Sequence, residues 1–287
     1  MFAVTAARID ADDPLAGLQL GEHPEPAPPD GWETITVRAA SLNHHDVWTL
    51  RGVGISADRL PIVLGCDAAG ITGDGREVVA HSVIGDPLAA GGDETLDPAR
   101  SLLSERYDGT FAERVMVPRR NLLPKPAGLP FEAAACLPTA YLTAYRMLFD
   151  RSGLEPGSTV LVQGAGGGVA TALILLGRAG GYRIWVTSRS EAKREQALEL
   201  GADQAFATGS RLPERVGRIG EGGTVKALTA PVRAKVLKSI RGVLHQGPAE
   251  RKSCSPRRPH QNDPAVPAEA SSFYSLTPGT SGGTMTR

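Results

Sequence analysis

Residues 159–181 read TVLVQGAGGGVATALILLGRAGG: a short apolar run, a turn with four glycines in five positions, and a second apolar run. The first run predicts a buried β-strand over Val160–Gln163. The second predicts a helix over Val169–Arg178, apolar nearly all round, which the glycine pair after it terminates. Tyr182–Thr187 predicts the next strand, so the stretch forms a βαβ unit with parallel strands and a right-handed crossover.

The glycine turn is a candidate pyrophosphate-binding site. A strand that ends in glycines and continues into a helix places bare N–H groups and the positive end of the helix at one spot. The pattern is not a strict G-x-G-x-x-G motif, because alanine occupies its first and last glycine positions, and a turn without a ligand is the alternative. The residues predicted to bind a dinucleotide here are Ala165, Gly166, Gly167, Gly168 and Val169.

The residues after the second strand favour NADPH over NADH. An acid at the end of this strand would accept hydrogen bonds from the ribose 2′-OH of NADH, but the first acid is Glu191, inside the helix predicted over residues 190–201. Ser188, Arg189 and Lys193 could instead hold a 2′-phosphate by charge-assisted hydrogen bonds. The alternative is that Arg189 is a solvated residue at the start of a helix.

The first 125 residues predict a small, barrel-like β domain made of many short strands. Strands are predicted at 32–40, 76–84 and 109–118. The apolar run at 60–72 contains two glycines, where the backbone must turn or approach a neighbour closely. The alanine-rich residues 131–153 then predict two consecutive helices that Pro138 separates.

The regular pattern ends near Val216. Residues 217–287 contain 11 basic and 4 acidic side chains, whereas residues 1–216 contain 20 and 27. The Pro-, Ser- and Arg-rich composition predicts a disordered or loosely attached tail, apart from one possible basic helix around Val232–Val243. Such a tail could bind nucleic acid without specificity, but it carries no motif for specific recognition.

The composition is that of a soluble globular protein, with 41% hydrophobic and 22% charged residues in a chain of 287. No apolar run is long enough to cross a bilayer, and the start does not read as a signal peptide, so a cytoplasmic location without a membrane partner is predicted. The three cysteines, Cys66, Cys136 and Cys254, have no Cys-x-x-Cys spacing, which argues against a disulfide framework or a cysteine-only zinc site.

Five motifs resemble, in this order, those of the medium-chain dehydrogenase/reductase superfamily, and in particular its quinone-oxidoreductase-like branch, often called zinc-binding dehydrogenases. They are AASLNHHDVWTLRG (39–52), LPIVLGCDAAG (60–70), GTFAERVMVP (109–118), ACLPTAYLTAYRML (135–148) and VLVQGAGGGVATALILLG (160–177). The resemblance implies an α/β fold with a GroES-like, β-barrel-type catalytic domain at 1–125. Interdomain helices and a Rossmann-type NAD(P)-binding half follow at 126–216, and 217–287 is an irregular tail.

The resemblance also bears on zinc. The zinc ligands of zinc-dependent relatives fall at Asn43, Cys66 and Thr139, of which only Cys66 could bind zinc as a thiolate, and a catalytic site needs three protein ligands. His44, His45 and His81 are possible substitutes, but histidines in such loops are more often solvated or capping groups. No metal site is therefore predicted.

Without zinc, the resemblance implies hydride transfer from NADPH to a small-molecule quinone or α,β-unsaturated carbonyl. Asn43 is the candidate catalytic residue, since its amide could donate a hydrogen bond to the acceptor oxygen as charge develops there. The alternative is that Asn43 caps the turn before Asp46. Thr143 resembles the residue that packs beside the nicotinamide in relatives, and its alternative is a helix-capping or core threonine.

The resemblance stops near Val216. Relatives continue with an apolar strand, a Pro-Gly-Gly turn and further Rossmann strands, and residues 217–287 do not supply these. A reading-frame change near Val216 would explain this, and translation of the other two frames of the gene tests it. Two alternatives to the quinone-reductase function therefore stay open: a zinc-type alcohol dehydrogenase activity, or a truncated, non-catalytic remnant that at most binds a cofactor or a partner. The intact family fold could form a homodimer.

Overall fold

The structure is a computed structural model that describes residues 1–89, 91–208 and, for the backbone, 225–229. Its N-terminal part is a β domain with one short helix, α1. The elements are β1 (Phe2–Ala6), β2 (Leu18–Glu22), β3 (Trp32–Ser41), α1 (His44–Leu50), β4 (Ile62–Val63), β5 (Asp67–Thr72), β6 (Glu77–Ala80), β7 (Val83–Ile84), β8 (Ser101–Leu102), β9 (Arg114–Pro118) and β10 (Leu122–Pro124).

The β domain is built on an antiparallel five-stranded sheet in the order β10-β6-β5-β3-β9, with a second sheet in the order β2-β1-β4 and a small β7-β8 pair. Its core contains buried aliphatic side chains from several strands, among them Ile35, Val78 and Val115. Strand β5 is buried along nearly its whole length, and its first residue, Asp67, lies at the bottom of the candidate active site. The predicted barrel-type domain is confirmed.

Two predicted strands are shorter in the structure. The strand predicted at 76–84 is divided into β6 and β7, and between them the side-chain amide of Asn121 donates to the carbonyls of His81 at 2.9 Å and Val83 at 2.6 Å. The strand predicted at 109–118 is regular only from Arg114. Thr110 before it is fully buried, and its hydroxyl donates to the carbonyl of Asp67 at 2.9 Å, which fixes this segment beside the site.

The connection between the domains is a nearly continuous helical stretch over residues 131–150. It consists of α2 (Phe131–Ala134), a π-helical segment (Leu137–Tyr141), α3 (Leu142–Tyr145) and a second π-helical segment (Arg146–Asp150). Pro138 was predicted to separate two helices, but it lies within the first π-helical segment. The wider π turn accommodates the residue that lacks an N–H, and such turns are frequent at functional sites.

The second domain is a parallel sheet in the order β13-β12-β11-β14. Its elements are β11 (Thr159–Gln163), α4 (Gly168–Ala179), β12 (Arg183–Ser188), α5 (Glu191–Glu199), β13 (Gln204–Ala207) and β14 (Val225–Thr229). The apolar face of α4 packs on this sheet, with Leu173 and Ile174 against Val160 and Ile184 in the core. The predicted βαβ unit is confirmed, and the strand order is that of a Rossmann-type sheet.

Strand β14 differs from the prediction for residues 217–287, where no further Rossmann strand is expected. It pairs in parallel with β11, with Thr159 opposite Val225. The physical reason is that β11 has a second edge with unpaired backbone groups, which a parallel strand satisfies. The basic helix predicted around Val232–Val243 lies outside the described residues. Within the described ranges, no helix is both long and apolar enough to span a bilayer.

Candidate active site and cofactor cradle

The turn between β11 and α4 exposes its backbone. Gly164 and Gly166 have φ of +87° and +94°, which side-chain-bearing residues rarely adopt. The amide of Gly164 donates to the carbonyl of Thr187 in β12 at 3.1 Å, so the turn is anchored to the neighbouring strand. Among the described residues, no atom lies within 4 Å of a β-carbon placed on Gly164 or Gly167, so this part of the chain leaves the turn uncovered.

Helix α4 begins directly at this turn. Gly167 is its N-cap, and no side chain caps the helix. The first N–H groups of a helix have no partner within the helix, and in the described part of the chain the amides of Gly166, Gly167 and Gly168 donate to no backbone carbonyl outside it. These bare donors, together with the helix dipole, fit the pyrophosphate of a dinucleotide. Ala165 is buried beneath the turn, and Val169 packs on the domain core.

The corner between β12 and α5 lies against this turn. A β-carbon on Gly166 would lie 2.7 Å from Cδ of Lys193, so the methylene chain of Lys193 crosses the glycine turn. Ser188 is buried at the end of β12, and its Oγ accepts from the N–H of Ser190 at 3.2 Å. Arg189 and Lys193 are exposed, and neither forms an ion pair with a described residue. The structure thus brings all three predicted 2′-phosphate residues to one corner.

Arg194 is a residue that the sequence analysis missed. Its Nη1 donates to the carbonyl of Ser188 at 2.9 Å, and its side chain is half-buried. It forms no ion pair with an acid in the described ranges, so the corner contains three arginine or lysine side chains without a paired carboxylate. Its position one turn after Ser190 on a predicted helix was the signal that could have identified it.

The helical connection passes beside the glycine turn at residues 164–168, which we call the cradle. A β-carbon on Gly168 would lie 3.3 Å from Cβ of Ala140, so the start of α4 packs on the first π-helical segment. Thr143 lies one turn further along, is exposed, and forms no side-chain hydrogen bond with a described residue. This exposure argues against a core threonine.

A polar cluster stands where the zinc ligands of relatives were placed on the sequence. Asp67 is fully buried, and its carboxylate accepts from Oγ1 of Thr139 at 2.6 Å, from Nδ2 of Asn43 at 2.9 Å and from Oγ of Ser41 at 2.9 Å. The thiol of Cys66 lies 3.5 Å from both Nδ2 of Asn43 and Oγ1 of Thr139. Asn43, Cys66 and Thr139 therefore converge as predicted, and Asp67 joins them.

Asn43 has two attachments in this cluster. Its backbone N–H donates to Oδ2 of Asp46 at 2.7 Å, and it is the N-cap residue of α1. This contact with Asp46 belongs to a capping box at the start of α1, which agrees with the alternative that Asn43 caps the turn before Asp46, and Nδ2 of Asn43 donates in addition to Asp67. The second amide hydrogen has only long contacts, 3.5 Å to the carbonyl of Ser41 and to the sulfur of Cys66, so it remains available for a stronger acceptor.

The donors at this position do not fit a zinc ion. Asn43 and Thr139 present an amide N–H and a hydroxyl, and zinc in proteins takes thiolate, imidazole or carboxylate ligands. Burial, together with the charge of Asp67, raises the pKa of the Cys66 thiol from 9.0 to about 12. The Asp67 oxygens already accept three hydrogen bonds from protein groups.

A second candidate metal site lies beside this cluster, and its histidine already has hydrogen-bond partners in the protein. The ligand atoms of His45, Asp46 and Cys66 lie within 4.8 Å of one another. However, Nε2 of His45 lies 3.1 Å from Oε1 of Glu105, and its Nδ1 lies 3.3 Å from Oγ of Ser104. Both imidazole nitrogens therefore have protein partners. Burial raises the pKa of Asp46, whose Oδ1 has no hydrogen-bond partner among the described residues.

The raised pKa of Cys66 predicts a loss of stability in alkali. Above pH 9.0 the unfolded chain releases the thiol proton, which the folded chain keeps until about pH 12. The free energy of unfolding should therefore fall over this window by up to about 1.4 kcal/mol per pH unit. The measurement is urea unfolding at several pH values, comparing the wild type with Cys66→Ser, which lacks the thiol. Cys136→Ser is the matched control, because Cys136 is exposed; equal slopes for all three proteins would contradict the prediction.

Comparison with known proteins identifies the class. The profile of the alcohol dehydrogenase GroES-like domain matches residues 29–127. An NAD-dependent alcohol dehydrogenase of known structure is 36% identical, with a TM-score of 0.70 over 77% of this chain and 68% of the other. The quinone oxidoreductase of Thermus thermophilus, solved also as a complex with NADPH, is 32% identical, with a TM-score of 0.61 over 85% and 70%. The chain belongs to the medium-chain dehydrogenase/reductase superfamily.

Two relatives in sequence are of the same superfamily type. The crotonyl-CoA carboxylase/reductase of Cereibacter sphaeroides is 34% identical over 223 residues, which is 70% of this chain and 52% of that protein. A zinc-type alcohol dehydrogenase-like protein of Schizosaccharomyces pombe is 35% identical over 177 residues, 58% of this chain and 51% of that protein. The chain thus spans about half the length of these relatives.

Proposed function

We propose that this chain is an NADPH-dependent oxidoreductase that reduces a small-molecule quinone or α,β-unsaturated carbonyl without a catalytic zinc ion. The observation that carries the proposal is the open glycine turn beside a corner with three cations, Arg189, Lys193 and Arg194, that pair with no carboxylate of the described residues. Backbone donors suit a pyrophosphate, and uncompensated cations suit the additional phosphate that distinguishes NADPH from NADH. The NADPH complex of the Thermus thermophilus quinone oxidoreductase supports this cofactor.

Each part of the site has one task in this proposal. The amides of Gly166, Gly167 and Gly168 hold the pyrophosphate, and Ser188 with the three cations holds the 2′-phosphate. Thr143, exposed next to the cradle, lines the nicotinamide side of the cleft. When bound, NADPH would supply a hydride from C4 of its nicotinamide.

Asn43 is the proposed acceptor-binding residue. One amide hydrogen is held by Asp67, which fixes the orientation of the side chain, and the second, which has only 3.5 Å contacts with Ser41 and Cys66, can donate to an oxygen of the acceptor. A fixed donor aimed at a developing negative charge stabilises the transition state without reorganisation. Quinones and conjugated carbonyls suit a single neutral donor, because conjugation spreads the arriving charge.

The family's zinc-type alcohol dehydrogenase activity is the weaker candidate. Similarity to a zinc-type alcohol dehydrogenase-like protein favours it, but it requires a zinc site that the donor set around Asp67 does not fit. Because these donors do not fit a zinc ion, the proposed reaction uses no Lewis acid. A cytoplasmic location, the lack of a nucleic-acid partner and a homodimer remain predictions.

The test combines binding, turnover and metal content. Wild-type protein should enhance NADPH fluorescence saturably, oxidise NADPH in the presence of a quinone or enone series, and contain well under one zinc per chain by mass spectrometry. Gly166→Val should weaken NADPH binding by about 100-fold or more, because the new side chain is strained at this φ and meets Lys193. Gly75→Val is the matched control, since Gly75 lies in a turn of the β domain and has a similar φ of +89°.

The outcomes separate the candidates. Zinc at one per chain, with alcohol oxidation abolished by a chelator, would establish the alcohol dehydrogenase alternative. NADPH binding with no turnover of any acceptor would support a cofactor-binding role alone. Absence of nucleotide binding by a soluble, folded sample would contradict the proposal.

A further inference from the structure

A charged contact joins the β domain to the helical connection. Nη2 of Arg146 lies 2.7 Å from Oδ2 of Asp93, and Nη1 donates to Oδ1 of Asp93 at 3.3 Å and to Oγ1 of Thr95 at 3.1 Å. Both charged side chains are less than one-third exposed. A two-pronged guanidinium–carboxylate pair combines charge with a fixed direction, so it constrains the two segments that it joins.

Asp93 is held in place on its own loop. Its Oδ1 also accepts from the N–H of Thr95 at 3.0 Å, which caps the short 3₁₀ turn Glu94–Leu96. The hydrogen bond from Arg146, followed by that from Thr95, keeps the pKa of Asp93 well below its usual range. The carboxylate is therefore charged, and the pair intact, at any pH at which the protein would work.

The loop is in turn attached to the β domain. Oε1 of Glu94 lies 2.8 Å from Nε2 of His81, which directly follows β6. Oδ2 of Asp97 accepts from the N–H of Asp86 at 2.8 Å, closing the loop at its other end. A connected series of polar contacts thus runs from the sheet of the β domain to Arg146.

Arg146 lies on the same helical stretch as the two threonines of the site. Thr139, two turns before it, contacts Asp67 and Cys66, and Thr143 lies one turn before it. We infer that Arg146 and Asp93 are a positioning pair, which holds the segment Thr139–Thr143 against the β domain. The pair thereby fixes the separation between the acceptor site at Asn43 and the nicotinamide side of the cleft at Thr143.

Cys66 provides a readout of this seam, the contact of the segment Thr139–Thr143 with the β domain, that does not need enzymatic activity. Its side chain is 1% exposed and is covered on one side by Thr139. In Arg146→Gln or Asp93→Asn, native-state alkylation of Cys66 by N-ethylmaleimide should accelerate by about 10-fold or more, because the seam opens locally. The charge-exchanged double variant, Asp93→Arg with Arg146→Asp, should return the rate toward that of the wild type. Peptide mass spectrometry separates Cys66 from the other cysteines.

Two controls distinguish positioning from general destabilisation. Arg76→Gln removes an exposed arginine that pairs with Glu33 and Asp74 in the same domain, away from the helical stretch, and should leave the rate unchanged. Leu173→Val weakens the core of the second domain and gives a reference with lowered Tm. An Arg146→Gln alkylation rate no greater than that of a Leu173→Val sample measured at the same distance below its own Tm would overturn the inference.

The kinetic readout rests on the proposed function. In the single variants kcat for NADPH-dependent reduction should fall by about 10- to 100-fold, because a small misplacement of the reacting groups is enough. The Kd for NADPH should stay within about twofold, since the cradle is not touched. An unchanged kcat in an active enzyme would contradict the inference. A wild type without any turnover would instead contradict the proposed function, and the alkylation rates would still decide the role of the pair.

Discussion

Replacing Asp67 with leucine is expected to lower the free energy of unfolding by about 3–5 kcal/mol. Leucine has as many side-chain heavy atoms but is bulkier and accepts no hydrogen bond, so the amide of Asn43 and the hydroxyls of Ser41 and Thr139 lose the acceptor that they share. Asp67 is fully buried, and water cannot replace the lost acceptor without opening the seam. Urea unfolding followed by tryptophan fluorescence measures the change.

Asp67→Asn removes the charge of the side chain but keeps a hydrogen-bond acceptor, so it distinguishes the effects of the two. Asparagine keeps one acceptor oxygen at the same place, so this variant should lose no more than about 1–2 kcal/mol. Burial raises the pKa of Asp67, so folding disfavours its charged form and the free energy of unfolding of the wild type falls as the pH rises through this ionisation. The neutral asparagine does not ionise, so the free energy of unfolding of Asp67→Asn lacks this dependence. Asp58→Asn, at a surface carboxylate, is the matched control. Equal stability of Asp67→Leu and the wild type would show that the cluster is not held together by this carboxylate.

The double variant Arg189→Ala with Lys193→Ala is expected to raise the Kd for NADPH by about 100-fold, while the Kd for NADH changes by no more than about threefold. Only NADPH carries the 2′-phosphate to which the two exposed cations would donate charge-assisted hydrogen bonds. The NADPH affinity of the wild type should also fall with added salt, because exposed charges are screened. Fluorescence titration of both nucleotides at two ionic strengths measures the effect.

Arg183 supplies the matched control for this experiment. It is an arginine at the opposite end of the same strand, β12, where its Nε donates to Oγ1 of Thr159. Arg183→Ala should leave both dissociation constants nearly unchanged. Equal weakening of NADPH and NADH in the double variant would mean that the corner does not read the 2′-phosphate, and the preference for NADPH would be wrong.

Local pattern was sufficient for the second domain. The alternation of a short apolar run, a glycine turn and a longer apolar run specified β11, α4 and β12 to within one residue at most of their ends, because strand and helix periods are properties of neighbouring residues. The same pattern placed the bare amides of the cradle and the Ser188–Lys193 corner side by side, since the carboxyl ends of adjacent parallel strands meet at one sheet edge.

The cluster around Asp67 could be predicted only in part. The family resemblance placed Asn43, Cys66 and Thr139 at one site, but it did not show that a buried carboxylate would join their side chains. It also did not reveal that both nitrogens of His45 are taken by Ser104 and Glu105. Hydrogen-bond partners that are distant in the chain leave no local period.

The sequence by itself therefore predicted the βαβ unit, the glycine turn and, at the corner between β12 and α5, Ser188, Arg189 and Lys193 but not Arg194, because these features depend on short-range pattern. Tertiary structure alone decided the pairing of β14 with β11, the π-helical path through Pro138 and the contact of Arg146 with Asp93. The physical reason is that strand edges, buried acceptors and half-buried charges are satisfied by whichever groups the completed fold brings next to them.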